Sequence, residues 1–267
     1  MSSRTSSAPS TSGLLLTLNR GIQVLEAVAN EQGRATAKSL AAGLDINLGT
    51  CYQLLRTLQA NGYIHRLPGG RYGLGSRVGY LADQYQATSA PPPELIEILH
   101  ELHQAVEETV YVSLRRGRKI EIASVLEGTK PLRVGNLTVG FGGHPHIRAS
   151  AKAFLAFASP ETVDEILEDA TFEKRTERTL PDRAALDREL EATRLRGYGI
   201  DDEEFTEGVS CIGAAILDAG GEPIGSYGSS FPASSLPTEG ESMAKLVIHA
   251  AEKASRALGY DGPYPPA

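Results

Sequence analysis

Ala35–Leu74, ATAKSLAAGLDINLGTCYQLLRTLQANGYIHRLPGGRYGL, is the stretch whose reading decides the fold. Ala37, Leu40, Ala41 and Leu44 recur at helical spacing and give a first helix one small, apolar face. Asp45 follows, a residue that tolerates the left-handed backbone of a tight turn, and Ile46 plugs that turn. Asn47 is placed to cap a second helix, in which Cys51, Leu54, Leu55 and Leu58 form the inward face. Gly49, Thr50, Tyr52, Gln53 and Arg56 fall on the opposite face. Asn61-Gly62 stops the helix. Tyr63–Arg66, the turn Pro68-Gly69-Gly70 and Arg71–Leu74 then read as a hairpin, or wing.

A helix that hides its leucines and shows Thr, Tyr, Gln and Arg carries side chains suited to base edges and phosphates in a major groove. The same face also fits the solvated side of an ordinary helical hairpin. The charge distribution favours the first reading. The chain of 267 residues has a formal net charge of −7. Residues 1–80, however, hold Arg4, Arg20, Arg34, Lys38, Arg56, Arg66, Arg71 and Arg77 against Glu26, Glu31 and Asp45, a net of +5 that leaves −12 for the rest. A small basic head on an acidic body is compatible with phosphate binding, because salt screens the body's repulsion beyond about 8–10 Å.

The length suits two ordinary domains. There is no apolar run of membrane-spanning length. Residues 1–12, MSSRTSSAPSTS, lack the apolar centre of a secretory signal and read as a disordered tail. The two cysteines, Cys51 and Cys211, lie far apart in apolar patterns, which gives no disulfide framework and fits a reducing cytoplasm.

Leu14–Ala29 places Leu18, Ile22, Leu25, Val28 and Ala29 on one stripe, a helix that packs under the head. Arg20 lies off that stripe, equally suited to a phosphate contact or to solvent. After the wing, Val78, Leu81 and Tyr85 mark a further helix, and Pro91-Pro92-Pro93 makes a semi-rigid break. The boundaries read as a tail over 1–12, a winged head over 13–75, a linker helix over 76–92 and a second domain over 93–262. In the second domain a helix over Glu94–Glu108 precedes strands at Val110–Leu114, Ile120–Leu126 and Pro131–Val134. A Gly- and His-rich loop leads into a helix over Ala149–Ala158. Helices at Glu161–Glu168 and Asp182–Arg196, strands at Ser210–Leu217 and Pro223–Tyr227, and a last helix from Thr238 to Leu258 complete it. Hairpin-linked strands with helices set to one side predict an α+β domain on an antiparallel sheet.

These residues carry a family likeness. The head resembles the winged helix-turn-helix of the IclR family of bacterial transcription regulators in Asn19–Glu26, in Thr50 before Leu54-Leu55-x-Thr57-Leu58, in Gly62-Tyr63, and in Arg71-Tyr72-x-Leu74-Gly75. The second domain resembles that family's signature in Arg196-Gly197-Tyr198, Asp201–Glu204, Gly208-Val209, Cys211-Ile212 and Ala214, and in the segment Lys152–Ala156. The likeness runs over about residues 14–260. It implies a GAF-like sensor domain, control of operator affinity by a small-molecule effector, and a homodimer or homotetramer, with head contacts near Leu14–Leu18 and the linker helix. Two heads imply a palindromic double-stranded DNA operator.

The DNA-facing set is Arg20, Asn47, Gly49, Thr50, Tyr52, Gln53, Arg56, Arg66 and Arg71. By resemblance, the effector pocket lies between the start of the helix at Ala149 and the strands carrying Cys211 and Ser230. Its set is Arg148, Ala149, Ser150, Asp202, Cys211, Gly228 and Ser230. Arg148 and Ala151 depart from the family's usual residues, as do Asp45 and Gln53, and Gly228 stands where a serine is common. A helix N-terminus favours a carboxylate, and Arg148, if it points inward, strengthens that preference. The missing side chain at Gly228 predicts room for an acid bulkier than a two- or three-carbon keto acid, aromatic acids included.

Other chemistries fit less well. Asp201–Glu204 before a strand fits a solvated turn better than catalytic carboxylates, since general acid–base catalysis needs two carboxyl groups set in a cleft, and the resemblance implies a structural segment next to the pocket. An enzyme using these acids is the rival reading, and a ligand-independent DNA-binding interaction module is another. His144-x-His146 with one distant cysteine is a thin basis for zinc, so neither a metal nor a cofactor is expected. Cys211 reads as a pocket wall rather than a nucleophile. The glycines at 140, 142 and 143 lack the lysine and hydroxyl of a phosphate loop and read as an effector-loop segment or an exposed loop.

Overall fold

The computed structural model describes residues 15–130 and 137–266. The chain divides into two compact units between Ser89 and Ala90. The first is built from α1 (Leu16–Asn30), α2 (Ala37–Gly43), α3 (Leu48–Ala60), β1 (Ile64–Leu67), β2 (Arg71–Leu74) and α4 (Ser76–Ser89). Thr36 and Ser39 close a reciprocal capping box on α2. Asp45 takes φ +49° in the turn. The Asn47 side-chain Oδ1 accepts the Thr50 N–H at 2.7 Å and starts α3. β1 and β2 pair antiparallel across a short 3-10 turn with Gly69 at φ +76°.

The head's core gathers Val24, Val28, Leu40, Cys51, Leu54, Leu55, Ile64 and Tyr72. Here one sequence reading is corrected. α1 buries Val24 and Val28, whereas Leu18 and Ile22 are 61% and 48% exposed and Ala29 is exposed too. The apolar residues of α1 cover two neighbouring lines, and periodicity does not say which of them meets α2, α3 and β2. Leu15, Leu16, Leu18 and Ile22 remain an uncovered apolar strip.

The second unit comprises α5 (Pro93–Val106), β3 (Thr109–Arg116), β4 (Lys119–Leu126), α6 (Ala149–Phe157), α7 (Pro160–Leu167), α8 (Arg183–Arg196), β5 (Gly199–Asp202), β6 (Val209–Leu217), β7 (Pro223–Pro232) and α9 (Leu236–Ala257). The expected strand at Pro131–Val134 lies outside the described residues. Five strands form one antiparallel sheet in the order β4-β3-β7-β6-β5. The helices lie on both faces rather than on one side. Ile212, Ala214 and Ile216 of β6 meet α5 and α9 in the main core, while the alternate positions Cys211, Gly213 and Ala215 turn to α6. β6 is buried along almost its whole length. A strand buried on both faces is covered twice, and the small-residue face of β6 lets α6 come close.

Candidate functional site

The polar face of α3 is open to solvent. Gly49, Tyr52, Gln53 and Arg56 are exposed and Thr50 is half-buried. Arg20 of α1 shares one concavity with Thr50, Gln53 and Arg56, which puts it beside α3 rather than apart from it. Asn47 is exposed, but its side-chain Oδ1 is engaged in capping. On the wing, Arg66 and Arg71 are exposed, and Arg71 Nε donates to Pro68 O at 3.1 Å, which steadies its stem over the turn. Four arginines and the α3 face therefore lie on one small domain with no acidic partner among the described salt bridges.

The second constellation starts where α6 meets the sheet. A Cβ on Gly213 would fall 2.8 Å from Ser150 N, and one on Gly199 would fall 2.9 Å from Ala153 N. Both positions need glycine, because the backbone of α6 rests on the backbone of β5 and β6. Ser226 Oγ of β7 ties the helix down by donating to Ser150 O at 2.9 Å. No side chain caps the start of α6, and its first residues, Ala149 and Ser150, form one wall of a cavity of about 110 Å³. The remaining walls include Tyr111, Ile122, Phe141, Arg148, Asp201 and Cys211.

Arg148 points inward and is 7% exposed. Its Nη2 donates to Ile120 O at 2.5 Å, and its guanidinium lies 5.5 Å from the centre of the Phe141 ring. Nε and Nη1 are buried with no hydrogen-bond partner. Among the described residues no carboxylate lies within ion-pair distance of it. Burial lowers its pKa to about 10, so it stays cationic at neutral pH.

Asp201 faces the same space. Its Oδ1 accepts the N–H groups of Glu204 at 2.8 Å and Phe205 at 3.2 Å. Burial nevertheless pushes its pKa up to about 6, outweighing the pull of Lys152 and these two donors. Cys211 Sγ lies 2.9 Å from Ser230 Oγ, and burial holds the thiol protonated, with a pKa of about 12. The loop over the cavity is laid along β4, not left free: Gly140 N–H donates to Ile122 O at 2.8 Å and Ile122 N–H to Phe141 O at 3.0 Å. That pairing carries Phe141 to Phe205, ring centres 5.7 Å apart.

Several sequence readings change here. Asp201–Glu204 is not a solvated turn, since Asp201 and Glu204 are buried and the enclosed Lys152 donates to Glu204 Oε1 at 2.6 Å. β5 alternates, so Asp201 turns to the cavity while Asp202 turns away, to Arg178 and to Ser210 Oγ. Ser230 stands behind Cys211 and forms no part of the wall. Gly228 leaves no vacancy, because the Tyr111 ring occupies the room beside it. Tyr111 was legible only as a residue of the strand at Val110–Leu114, and nothing in its local pattern marks it as a wall. His146 is fully buried, its ring centre 4.7 Å from that of Phe172, and burial lowers its pKa to about 4. Among the described residues no three His, Cys, Asp or Glu side chains are grouped to hold a metal.

Comparison with known proteins agrees with this architecture. Residues 17–68 match the IclR helix-turn-helix domain, and residues 94–256 match the bacterial transcriptional regulator IclR C-terminal domain. The HTH-type transcriptional repressor AllR of Salmonella typhimurium is 31% identical over 257 residues, covering 92% of this chain and 91% of that protein. The transcriptional repressor IclR of Escherichia coli is 28% identical over 256 residues, covering 94% and 93%. An IclR homologue of Microbacterium hydrocarbonoxydans, solved in complex with 4-hydroxybenzoate, shares the fold with a TM-score of 0.66 at 21% identity, covering 91% of this chain and 98% of that one. The chain belongs to the IclR family of bacterial transcriptional regulators: a helix-turn-helix DNA-binding domain joined to a C-terminal effector domain. No helix among the described residues is long and apolar enough to cross a membrane.

Proposed function

We propose that this chain is a cytoplasmic repressor whose hold on a palindromic operator is controlled by a small carboxylic acid bound beside Arg148. The observation that carries this reading is the buried guanidinium with two unpaired nitrogens at the uncapped start of α6. A buried charge with unmet hydrogen bonds costs on the order of several kcal/mol, and a carboxylate there meets both the cation and the helix's positive end. The apolar walls at Ile122 and Phe141 suit a short hydrocarbon body. The relatives named as repressors support repression, and the neighbour solved with 4-hydroxybenzoate supports a carboxylic acid as the effector class.

On the DNA side, Thr50, Tyr52 and Gln53 read base edges, Asn47 and Gly49 bring the start of α3 to the backbone, and Arg20, Arg56, Arg66 and Arg71 meet phosphates. The uncovered strip Leu15, Leu16, Leu18 and Ile22 is where a second head packs, giving a homodimer that pairs into a tetramer. Catalysis finds little support. The Cys211 thiol stays protonated, and the acidic run is engaged by Lys152, Arg178 and the Gly208 N–H.

The test is titration calorimetry on the full chain with pyruvate, lactate and neutral amides of the same size, followed by operator gel shifts with and without the bound acid. Acids should bind, amides should not, and Arg148→Met should lose acid binding at least tenfold. Equal binding of amides, or an Arg148→Met chain that binds acids as before, would overturn the reading.

A further inference from the structure

Tyr111 of β3, Gly228 of β7 and Gly213 of β6 stand in one row across the sheet. Gly213 lacks a side chain because α6 lies on it. Gly228 has no such reason, and it sits in ordinary strand backbone without a positive φ. What it meets is the ring of Tyr111: a Cβ on Gly228 would stand 2.6 Å from Tyr111 Oη and 2.7 Å from Cε2. Tyr111 is 3% exposed and forms a wall of the cavity. Its neighbours in that wall are Arg148, Ser150 and Cys211. The glycine and the tyrosine are thus one unit, in which a missing side chain on β7 is filled by a ring from β3.

Resting on the reading of the cavity as an acid site, we propose that Tyr111, seated over Gly228, is the specificity-determining residue that limits the site to acids without a ring. An apolar cavity of roughly 150 Å³ holds a benzene-sized guest, and the space beside Arg148 is smaller, about 110 Å³. It accepts a carboxylate with a body of two or three carbons and rejects a six-membered ring. Truncating Tyr111 adds a ring's volume to the same enclosure and leaves the Arg148 cation in place.

Calorimetry on the full chain decides this, with pyruvate and benzoate as the two probes. The wild type should bind pyruvate at least tenfold more tightly than benzoate. Tyr111→Ala should reverse that order, and Tyr111→Leu, which keeps apolar volume in the core if the alanine variant fails to fold, should narrow the ratio by at least threefold. Tyr111→Phe, which keeps the ring, should keep the wild-type order. The inference is overturned if the wild type binds benzoate as tightly as pyruvate, or if the ratio in a folded Tyr111→Ala or Tyr111→Leu chain stays within twofold of wild type. If neither acid binds any chain, the acid reading of the cavity itself falls.

Discussion

Lys152 Nζ donates to Glu204 Oε1 at 2.6 Å in a site where the lysine side chain is wholly enclosed. Glu189 Oε1 lies 3.6 Å from the same ammonium and is itself held by Arg196, so the pair reaches from beneath the cavity to α8. Glu204 Oε2 is left without a partner, and burial pushes the Glu204 pKa up to about 7 despite the lysine. Removing one member of such a pair strands the other in a poorly solvated place. Lys152→Ala should therefore destabilise the second unit by about 3–5 kcal/mol. Lys152→Met combined with Glu204→Leu should recover most of that loss. Urea denaturation followed at the transition of residues 90–267 measures both, and a double variant no more stable than Lys152→Ala would sink this account.

Acid affinity should depend on pH through Asp201. The groups facing it are Arg148, Lys152, Glu204, Tyr111 and Cys211. An ionised Asp201 repels an incoming carboxylate, whereas a protonated one does not, so binding takes up a proton. With the Asp201 pKa at about 6, affinity should rise as pH falls from 8 through 6. It should level off about one pH unit below that, once Asp201 is protonated in the free protein, and fall again where the ligand's own carboxyl group protonates. Asp201→Asn should flatten the profile. Calorimetry at several pH values in buffers of different ionisation heat reads the proton directly, and zero proton uptake at pH 7 would count against the scheme.

Gln53→Ala should change preference at particular base pairs by about 1–3 kcal/mol at each affected pair. Arg71→Ala should instead weaken all sequences alike and reduce the salt slope by about one. Competition gel shifts over single-base operator variants separate the two outcomes. If Gln53→Ala leaves every relative affinity unchanged, α3 does not read bases through that residue.

Leu18→Glu with Ile22→Glu places two charges on the uncovered strip of α1 while leaving the buried Val24 and Val28 alone. The doubly substituted chain should keep its helix content by circular dichroism and shift to a smaller species in light scattering at micromolar concentration. An unchanged mass would move the head-to-head contact elsewhere.

Much of this architecture is legible in the sequence, and the division follows the range of the signals. The Asn47 cap, the Asp45 turn and the Asn61-Gly62 stop are local, so the head reads off the chain almost element by element. The same holds for Leu95, Ile98, Leu99, Leu102 and Val106 on α5, all of which are buried. The cavity is different, because its walls are assembled by strand register. That Tyr111 faces Gly228, and that Asp201 rather than Asp202 turns inward beside Cys211, are facts of pairing between segments far apart in the chain. A one-residue change of register would exchange them. The α1 strip shows a further limit: two apolar lines on one helix cannot be ranked until the neighbouring elements are in place.

Gly199 and Gly213 have a mechanical consequence. With backbone lying on backbone, α6 has no slack toward the sheet, and the strands beneath it move only if the helix moves with them. The acid proposed to bind at Ala149 and Ser150 would therefore push on a single stiff block. The compliance needed to register its arrival has to come from the rim, where the segment carrying Phe141 is joined to β4 by two backbone hydrogen bonds and touches Phe205 edge to face. If the proposed acid binds here, the helix and sheet would serve as the anvil, and the aromatic rim would supply the travel.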